Sequence, residues 1–388
     1  MKIALIRKKY SDFGGAERYV ASLAVRLAAA GHEIHIFANE WQAAEKHSGQ
    51  TAHEGLRIIV HRIPVVKGIS FLESLSFALN ARRVLKKQNF DIIHSFERTL
   101  YQDIYRAGDG CHKEWLMQRR SIDPWYKSIF NRINPLHIGL LWLESRIFRA
   151  GGCPIIISNS ERGKSEIMRH YGTPSEKIFV LYNPVDRIRF EMQNHSDIRQ
   201  RIRNKLGIPL DEPVFLFVGS GFKRKGLSAA IEAFGRMKLK SRLMVIGKGD
   251  TGIYRSIAKK TGRENEVHFM GHLSDVEQYY CSCDLFILPT IYEPFSNVCL
   301  EAIASGLPVV TSRVNGASEI IENGKNGYII ENPLDSVEIA NKMQMALMID
   351  RQTVREHNSK LINQLSWEKH VEKLLNIYRS FLENKNCL

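Results

Sequence analysis

The sequence predicts two doubly wound parallel α/β units in tandem, and three observations carry that reading. A chain of 388 residues exceeds one ordinary domain and suits two of average size. Short apolar runs alternate with longer amphipathic stretches, the pattern of β–α–β units. The alternation runs through the first half, breaks at a polar stretch and starts again. Hydrophobic residues at 44% and charged residues at 25% fit a soluble globular chain.

In the first half, strands are expected at 2–7, 33–38, 56–63, 91–94 and 154–158. A helix over 17–30 ends at Gly31, and Ser160 caps another that runs to Arg169. The second series has strands at 214–218, 242–246, 267–270, 285–288 and 308–311, with a helix over 227–237. Between the series lie Asn183-Pro184 and a polar stretch over 191–205, a plausible linker. The expected division is a Rossmann-like domain over 1–183, a second over 184–366, and an amphipathic helix over 367–388 crossing back to the first. Two such sheets would offer ligands the carboxyl ends of their strands around a central cleft.

Charge and composition narrow the class. No apolar run approaches the ~20 residues of a membrane-spanning helix, and residues 136–143 are the best candidate. The amino terminus reaches Arg7 after four apolar residues, unlike a secretion leader, so a cytoplasmic location is expected. The six cysteines lack metal-ligand spacing and read as reduced core residues. The net charge is +14: 27 Lys+Arg against 18 Asp+Glu through Asp186, and 28 against 23 after it. Within 113–149, seven basic residues face three acidic ones and interleave with Trp115, Trp125, Tyr126, Phe130, Trp142 and Phe148. That composition fits docking on an anionic membrane face, or a helical insertion whose aromatics are core.

Three turns carry chemistry. Gly14-Gly15 follows the first strand and allows close backbone approach to a phosphate at a helix N-terminus, although an ordinary turn reads the same way. Gly219-Ser-Gly-Phe-Lys-Arg-Lys-Gly226 follows the first strand of the second series and groups Lys223, Arg224 and Lys225 where a diphosphate would sit. Glu293-Pro-Phe-Ser-Asn-Val-Cys-Leu-Glu301, followed by Gly306 and Pro308, places one carboxylate in a loop and a second about a turn inside a helix capped by Ser296 or Asn297. Carboxylates there accept hydrogen bonds from sugar hydroxyls.

Together the Glu-x7-Glu string, Gly306-x-Pro308, Gly14-Gly15 and Lys225-Gly226 resemble the retaining glycosyltransferases of the GT-B fold, the group 1, glycogen-synthase-like family. Ser220–Gly226 and 107–111 resemble more narrowly the bacterial enzymes that add glucose to the lipopolysaccharide inner core. The resemblance implies that Glu301 holds the nucleotide ribose and Glu293 contacts the transferred sugar. It implies that the amides of Phe295, Ser296 and Asn297 approach the sugar and distal phosphate. Lys225 and Arg224 would bind the diphosphate as it leaves, Gly15 would lie against the phosphates, and Phe269 and Gly271 would line the base. Asp109 would stand beside the sugar. Many relatives carry Arg where this chain has Ser220, which leaves Arg224, and more weakly Arg189, as the substitute cation.

The expected activity is therefore a retaining, metal-independent hexosyl transfer, with UDP-glucose as donor and no cofactor. The acceptor would be a lipopolysaccharide core or related envelope glycan, reached from the inner face of the cytoplasmic membrane. Another polysaccharide or lipid-linked acceptor is the alternative. No D-x-D occurs in the chain, so no metal bridge to the diphosphate is expected. A dinucleotide oxidoreductase should carry G-x-G-x-x-G in the turn after its first strand, and the turn at Gly14-Gly15 does not supply it. A basic nucleic-acid-binding protein, the reading from another class, should show a recognisable module and does not.

Overall fold

The computed structural model describes residues 1–10, 15–41, 57–126, 130, 133–190 and 195–386. It divides into two compact units: Met1–Tyr182 with Glu368–Leu388, and Asn183–Trp367.

The first unit is built on a parallel sheet of seven strands in the order β5-β3-β1-β6-β7-β8-β9. These are β1 (Lys2–Ile6), β3 (Glu33–Ala38), β5 (Ile58–Arg62), β6 (Ile92–Ser95), β7 (Ile104–Arg106), β8 (Ile155–Ser158) and β9 (Ile178–Val180); a separate pair joins β2 (Lys9–Tyr10) to β4 (Glu40–Trp41). Central strands are buried on both faces, as a sheet covered by helices requires; β1 reads as a near-continuous apolar run for that reason, while β6 buries His94 and Ser95 beside its two isoleucines. Ser160 caps the helix Glu161–Tyr171 by accepting from the Gly163 amide at 3.0 Å, and Gly172 ends it at φ +64°.

The helix Trp367–Asn386 completes this unit rather than the second. Tyr378 hydrogen-bonds His94 Nδ1 at 2.6 Å, and Tyr19 meets His370 Nε2 at 2.6 Å. Burial, together with Arg106, holds both imidazoles well below their ordinary pKa, so both are neutral. The His370 Nδ1–H donates to the Tyr182 carbonyl (3.0 Å), which makes Nε2 the acceptor of the Tyr19 hydroxyl.

The second unit holds a parallel sheet ordered β12-β11-β10-β13-β14-β15: β10 (Val214–Val218), β11 (Arg242–Ile246), β12 (Val267–Gly271), β13 (Leu285–Leu288), β14 (Val309–Ser312) and β15 (Gly327–Ile330). The chain adds strands outward from β10 on one side, then returns to pair β13 on the other. The gap between β10 and β13 is thus the topological switch point, where loops at the strands' carboxyl ends diverge. In the first unit the same role falls between β1 and β6.

Two details differ from the sequence reading. Most of the expected linker over 191–205 is a helix, His195–Lys205, and Arg203 on it is fully buried. Its guanidinium is satisfied by the carbonyls of Ser282, Pro209 and Glu212 and by Asp284. The 113–149 segment also divides. Phe148 is fully buried and Trp115 half-buried, whereas Trp125 (77% exposed), Phe130 (64%), Tyr126 and Trp142 are open to solvent. Lys127 and Arg132 lie outside the described residues. Among the described residues, no helix is long and apolar enough to cross a membrane.

The Tyr378–His94 bond gives a first test. Replacing Tyr378 by Phe strands a fully buried imidazole nitrogen, and the cost expected is about 1–3 kcal/mol, seen as a lower urea midpoint for the first unit.

Candidate active site

The turn after β10 is shaped by glycines. Gly226 caps the helix Leu227–Arg236 at φ +78°, and a Cβ there would overlap the Pro289 carbonyl. Only glycine therefore lets this turn close on the loop that follows β13. Phe222 anchors the turn from below, buried against Tyr254 with ring centroids 5.4 Å apart. Ser220 Oγ accepts from the Lys248 amide at 3.2 Å, tying the turn to the loop after β11.

Across the switch point, the Arg224 carbonyl accepts from the Ile291 amide (3.0 Å) and the Thr290 hydroxyl (3.0 Å). The Arg224 side chain donates to the Tyr292 carbonyl (3.0 Å) and pairs with Glu293 Oε2. Lys225, its stem laid over Gly219, puts its ammonium 3.1 Å from the same oxygen. Two cations thus share one carboxylate. Burial pushes the Glu293 pKa up, but Lys225 and Arg224 outweigh it and hold the carboxyl below its ordinary value. Glu293 is ionised at neutral pH and is no proton donor.

The backbone of Glu293 is fixed as well. Its amide donates to the Val314 carbonyl (3.3 Å), its carbonyl accepts from Gly316 (2.9 Å), and it forms a parallel bridge with Asn315. Asn315, fully buried, accepts from the amides of Ser296 (3.2 Å) and Ala317 (3.1 Å) and donates to Thr311 Oγ1 (2.9 Å). The helix Asn297–Ala304 then starts with Ser296 at its N-cap, and the Ser296 side chain makes no capping bond. Its first-turn amides are left to the site. Glu301, one turn in, accepts from the buried Tyr280 hydroxyl at 3.0 Å, and Asn297 Oδ1 accepts from Asn183 at 2.6 Å.

In the first unit, Arg7 follows β1 and donates to the Phe96 carbonyl after β6 at 2.8 Å. It also meets Glu17 (3.2 Å) and Asp109 (3.4 Å). Asp109 is 42% exposed. The loop beneath it is pinned by Glu144, fully buried, which takes Arg98 at 3.0 Å and the amides of His112 (2.7 Å) and Lys113 (3.2 Å). Gly15 opens the helix Gly15–Ala29 and is exposed; Gly14 lies outside the described residues.

Known families match both halves of the chain. The family model described as "Glycosyl transferases group 1" matches residues 198–364, and that described as "Glycosyltransferase Family 4" matches residues 13–189. This chain belongs to the GT-B glycosyltransferases. A relative of this glycosyltransferase is the lipopolysaccharide glucosyltransferase WaaG of Escherichia coli K12, 25% identical over 351 residues, covering 89% of this chain and 90% of WaaG. The WaaG crystal structure matches with a TM-score of 0.78 at 23% identity, covering 97% of this chain and 99% of WaaG. Anabaena HepE in complex with UDP-glucose matches with a TM-score of 0.70 at 19% identity over the full length of both chains.

Of the residues singled out in the sequence of this glycosyltransferase, the structure brings Arg224, Lys225 and Glu293 into contact. It sets Asn297 and Glu301 on the adjoining helix. The remaining residues have these surroundings. Arg189 pairs with Glu277 and lies against Phe190 (5.4 Å). The Ser296 amide is taken by Asn315, and the Phe295 side chain is buried. Phe269 carries Arg255 over its ring at 4.7 Å, while Gly271 closes its strand at φ +70° and its carbonyl accepts from Gly247. The sequence reading missed Asn315, Thr290 and Tyr280. Asn315-Gly316 is a turn signal after a strand, and that alone pointed to the first.

The depressed Glu293 pKa fixes a pH dependence. A carboxyl with a lower pKa folded than unfolded contributes stability above its ordinary value of 4.5, and the contribution is lost as pH falls through the lower folded value. Denaturation curves from neutral pH to below 4.5 should show this loss in the wild type, and a smaller one in Glu293→Gln.

Proposed function

We infer that this glycosyltransferase moves a hexose from a UDP-sugar, UDP-glucose in the first instance, to a lipopolysaccharide core or related envelope glycan, with retention at the anomeric carbon. The convergence of Lys225 and Arg224 on Glu293 at the β10/β13 switch point carries the reading. A diphosphate laid there meets two cations and the N-terminus of the helix Asn297–Ala304, and the chain has no D-x-D to recruit a metal. The glucosyltransferase relative and the UDP-glucose complex support the choice of donor.

In this mechanism the anomeric carbon–phosphate bond breaks as the phosphate charge grows, and Lys225 and Arg224 turn from Glu293 toward it. The acceptor oxygen bonds to the same face, and its proton passes to the leaving phosphate. Glu293, kept ionised by the same two cations, accepts hydrogen bonds from the hexose hydroxyls. Glu301, oriented by Tyr280, takes the ribose. In the first unit, Asp109 beside Arg7 is a carboxylate for acceptor hydroxyls.

The decisive assay is slow hydrolysis of nucleotide sugars without acceptor. Release of glucose from UDP-glucose is expected; no turnover with any UDP- or GDP-sugar would end the enzyme reading. Lys225→Ala should lower the rate by about 10²–10³ while weakening UDP binding far less. Equal losses would make Lys225 a binding group only.

The exposed Trp125, Tyr126, Phe130 and Trp142, with Arg119, Arg120 and Arg146 near them in sequence, support in this reading an acceptor met at an anionic lipid surface. Co-sedimentation with vesicles containing anionic lipid should be strong at low salt and fall when Trp125 and Phe130 are changed to Ala. No binding at low salt removes the membrane from the proposal.

A further inference from the structure

The second unit has another cavity at the opposite edge of its sheet, by the amino ends of β13 and β14. It encloses about 260 Å³ and is bordered by Arg199, Asp284, Leu307, Leu347, Arg351 and Arg355. A neighbouring cavity of about 300 Å³ shares Ser305, Gly306 and Arg355 with it.

The charge at this edge is out of balance. Asp284 Oδ1 accepts from Arg199 (2.8 Å) and Arg351 (2.6 Å), and Oδ2 accepts from Arg203 (2.6 Å) and the Val214 amide (2.9 Å). Four donors fill the lone pairs of one carboxylate, which has nothing left for a fifth. Arg355 stands at the junction of the two cavities, its stem over Gly306, and among the described residues its guanidinium has no hydrogen-bond or ion-pair partner. Three arginines and Asp284 line the cavity, an excess of two positive charges, and Arg203 is fully buried behind Asp284. The remaining wall is apolar, from Leu307, Leu347 and Val354.

We propose that this cavity binds the phosphate group of a small phosphate monoester. Such a group carries about −1.5 to −2 at neutral pH and three acceptor oxygens, which matches the charge excess and the fork geometry of guanidinium. A single carboxylate would neutralise less, and an apolar ligand would leave Arg355 beside it uncompensated. The apolar wall accommodates a short carbon body. The site is separate from the donor crevice and does not rest on the donor reading. Two features link it to the crevice: the helix Asn297–Ala304, whose amino end opens beside Glu293 and whose carboxyl end leads into the Ser305-Gly306-Leu307 turn, and Tyr280, which lines the cavity and donates to Glu301.

Calorimetric titration of the whole chain with inorganic phosphate and with glycerol 3-phosphate tests this, at constant ionic strength with chloride as the control. Both phosphates should bind and chloride should not. Arg355→Ala should weaken binding by about tenfold or more, and Arg355→Lys by less. Arg355 has no partner to lose, so neither variant should lower the thermal midpoint. Lys225→Ala should leave the binding within about twofold. Tighter binding of glycerol 3-phosphate than of phosphate identifies an organic monoester as the ligand, and equal binding identifies free phosphate. Absence of binding, an unchanged Arg355→Ala, or loss of binding in Lys225→Ala would each overturn the proposal.

Discussion

Two hydrogen bonds to the Arg224 carbonyl hold the second unit's chemistry together. They join the turn after β10 to the loop after β13 across the point where the sheet reverses its order. Because the contact is made by backbone and a short hydroxyl, it sets the spacing between the loops to within a hydrogen bond's tolerance. Gly226 makes the approach sterically possible. With the loops joined, Lys225 and Arg224 lie beside Glu293, and the bridge from Glu293 to Asn315 fixes the backbone of the carboxylate's residue. The site is preorganised by main-chain geometry, with side chains added to it.

Each unit also uses a buried acid as a collecting point. Glu144 gathers Arg98, two backbone amides and the Tyr171 hydroxyl (2.7 Å); Asp284 gathers three arginines and the Val214 amide. Neither acid belongs to the donor crevice. Both tie distant segments to the edge of a sheet, and removing either would leave buried guanidinium charge unmatched, a loss of about 3–5 kcal/mol. Specific folding of loops with little apolar content depends on such pins.

The sequence made the fold class and the core of the site legible, and the reason is local. Gly226, Arg224 and Lys225 lie within one turn, and Glu293 and Glu301 within one loop and helix, so their chemistry is written in contiguous residues. Asn315 and Tyr280 act on residues 19 and 21 positions away, through contacts that no periodicity announces. Strands β7 and β9 escaped notice because three residues cannot establish a pattern, and β15 because Gly327 and the half-buried Tyr328 leave only two apolar residues in the run. The helix His195–Lys205 read as a linker because its charges hid its purpose: the stem of Arg203 is core, and its head replaces water for four carbonyls. The pairing of Arg189 with Glu277 was not legible either, because a cation's nearest acid in space cannot be read from spacing.

The connection of the last helix has a consequence for how the chain is made. Met1–Tyr182 is interrupted by the entire second unit before Trp367–Asn386 supplies Tyr378 and His370. Val185 and Ser366 are bridged, so the second unit is a closed insertion with its two ends together. During synthesis, about half the polypeptide must wait, with the His94 and Tyr19 sides of its core open, until nearly two hundred further residues have emerged. The second unit can fold while that wait lasts. The vulnerable species in the life of this protein is therefore a finished second unit attached to an unfinished first one, and the helix Trp367–Asn386 decides when that state ends.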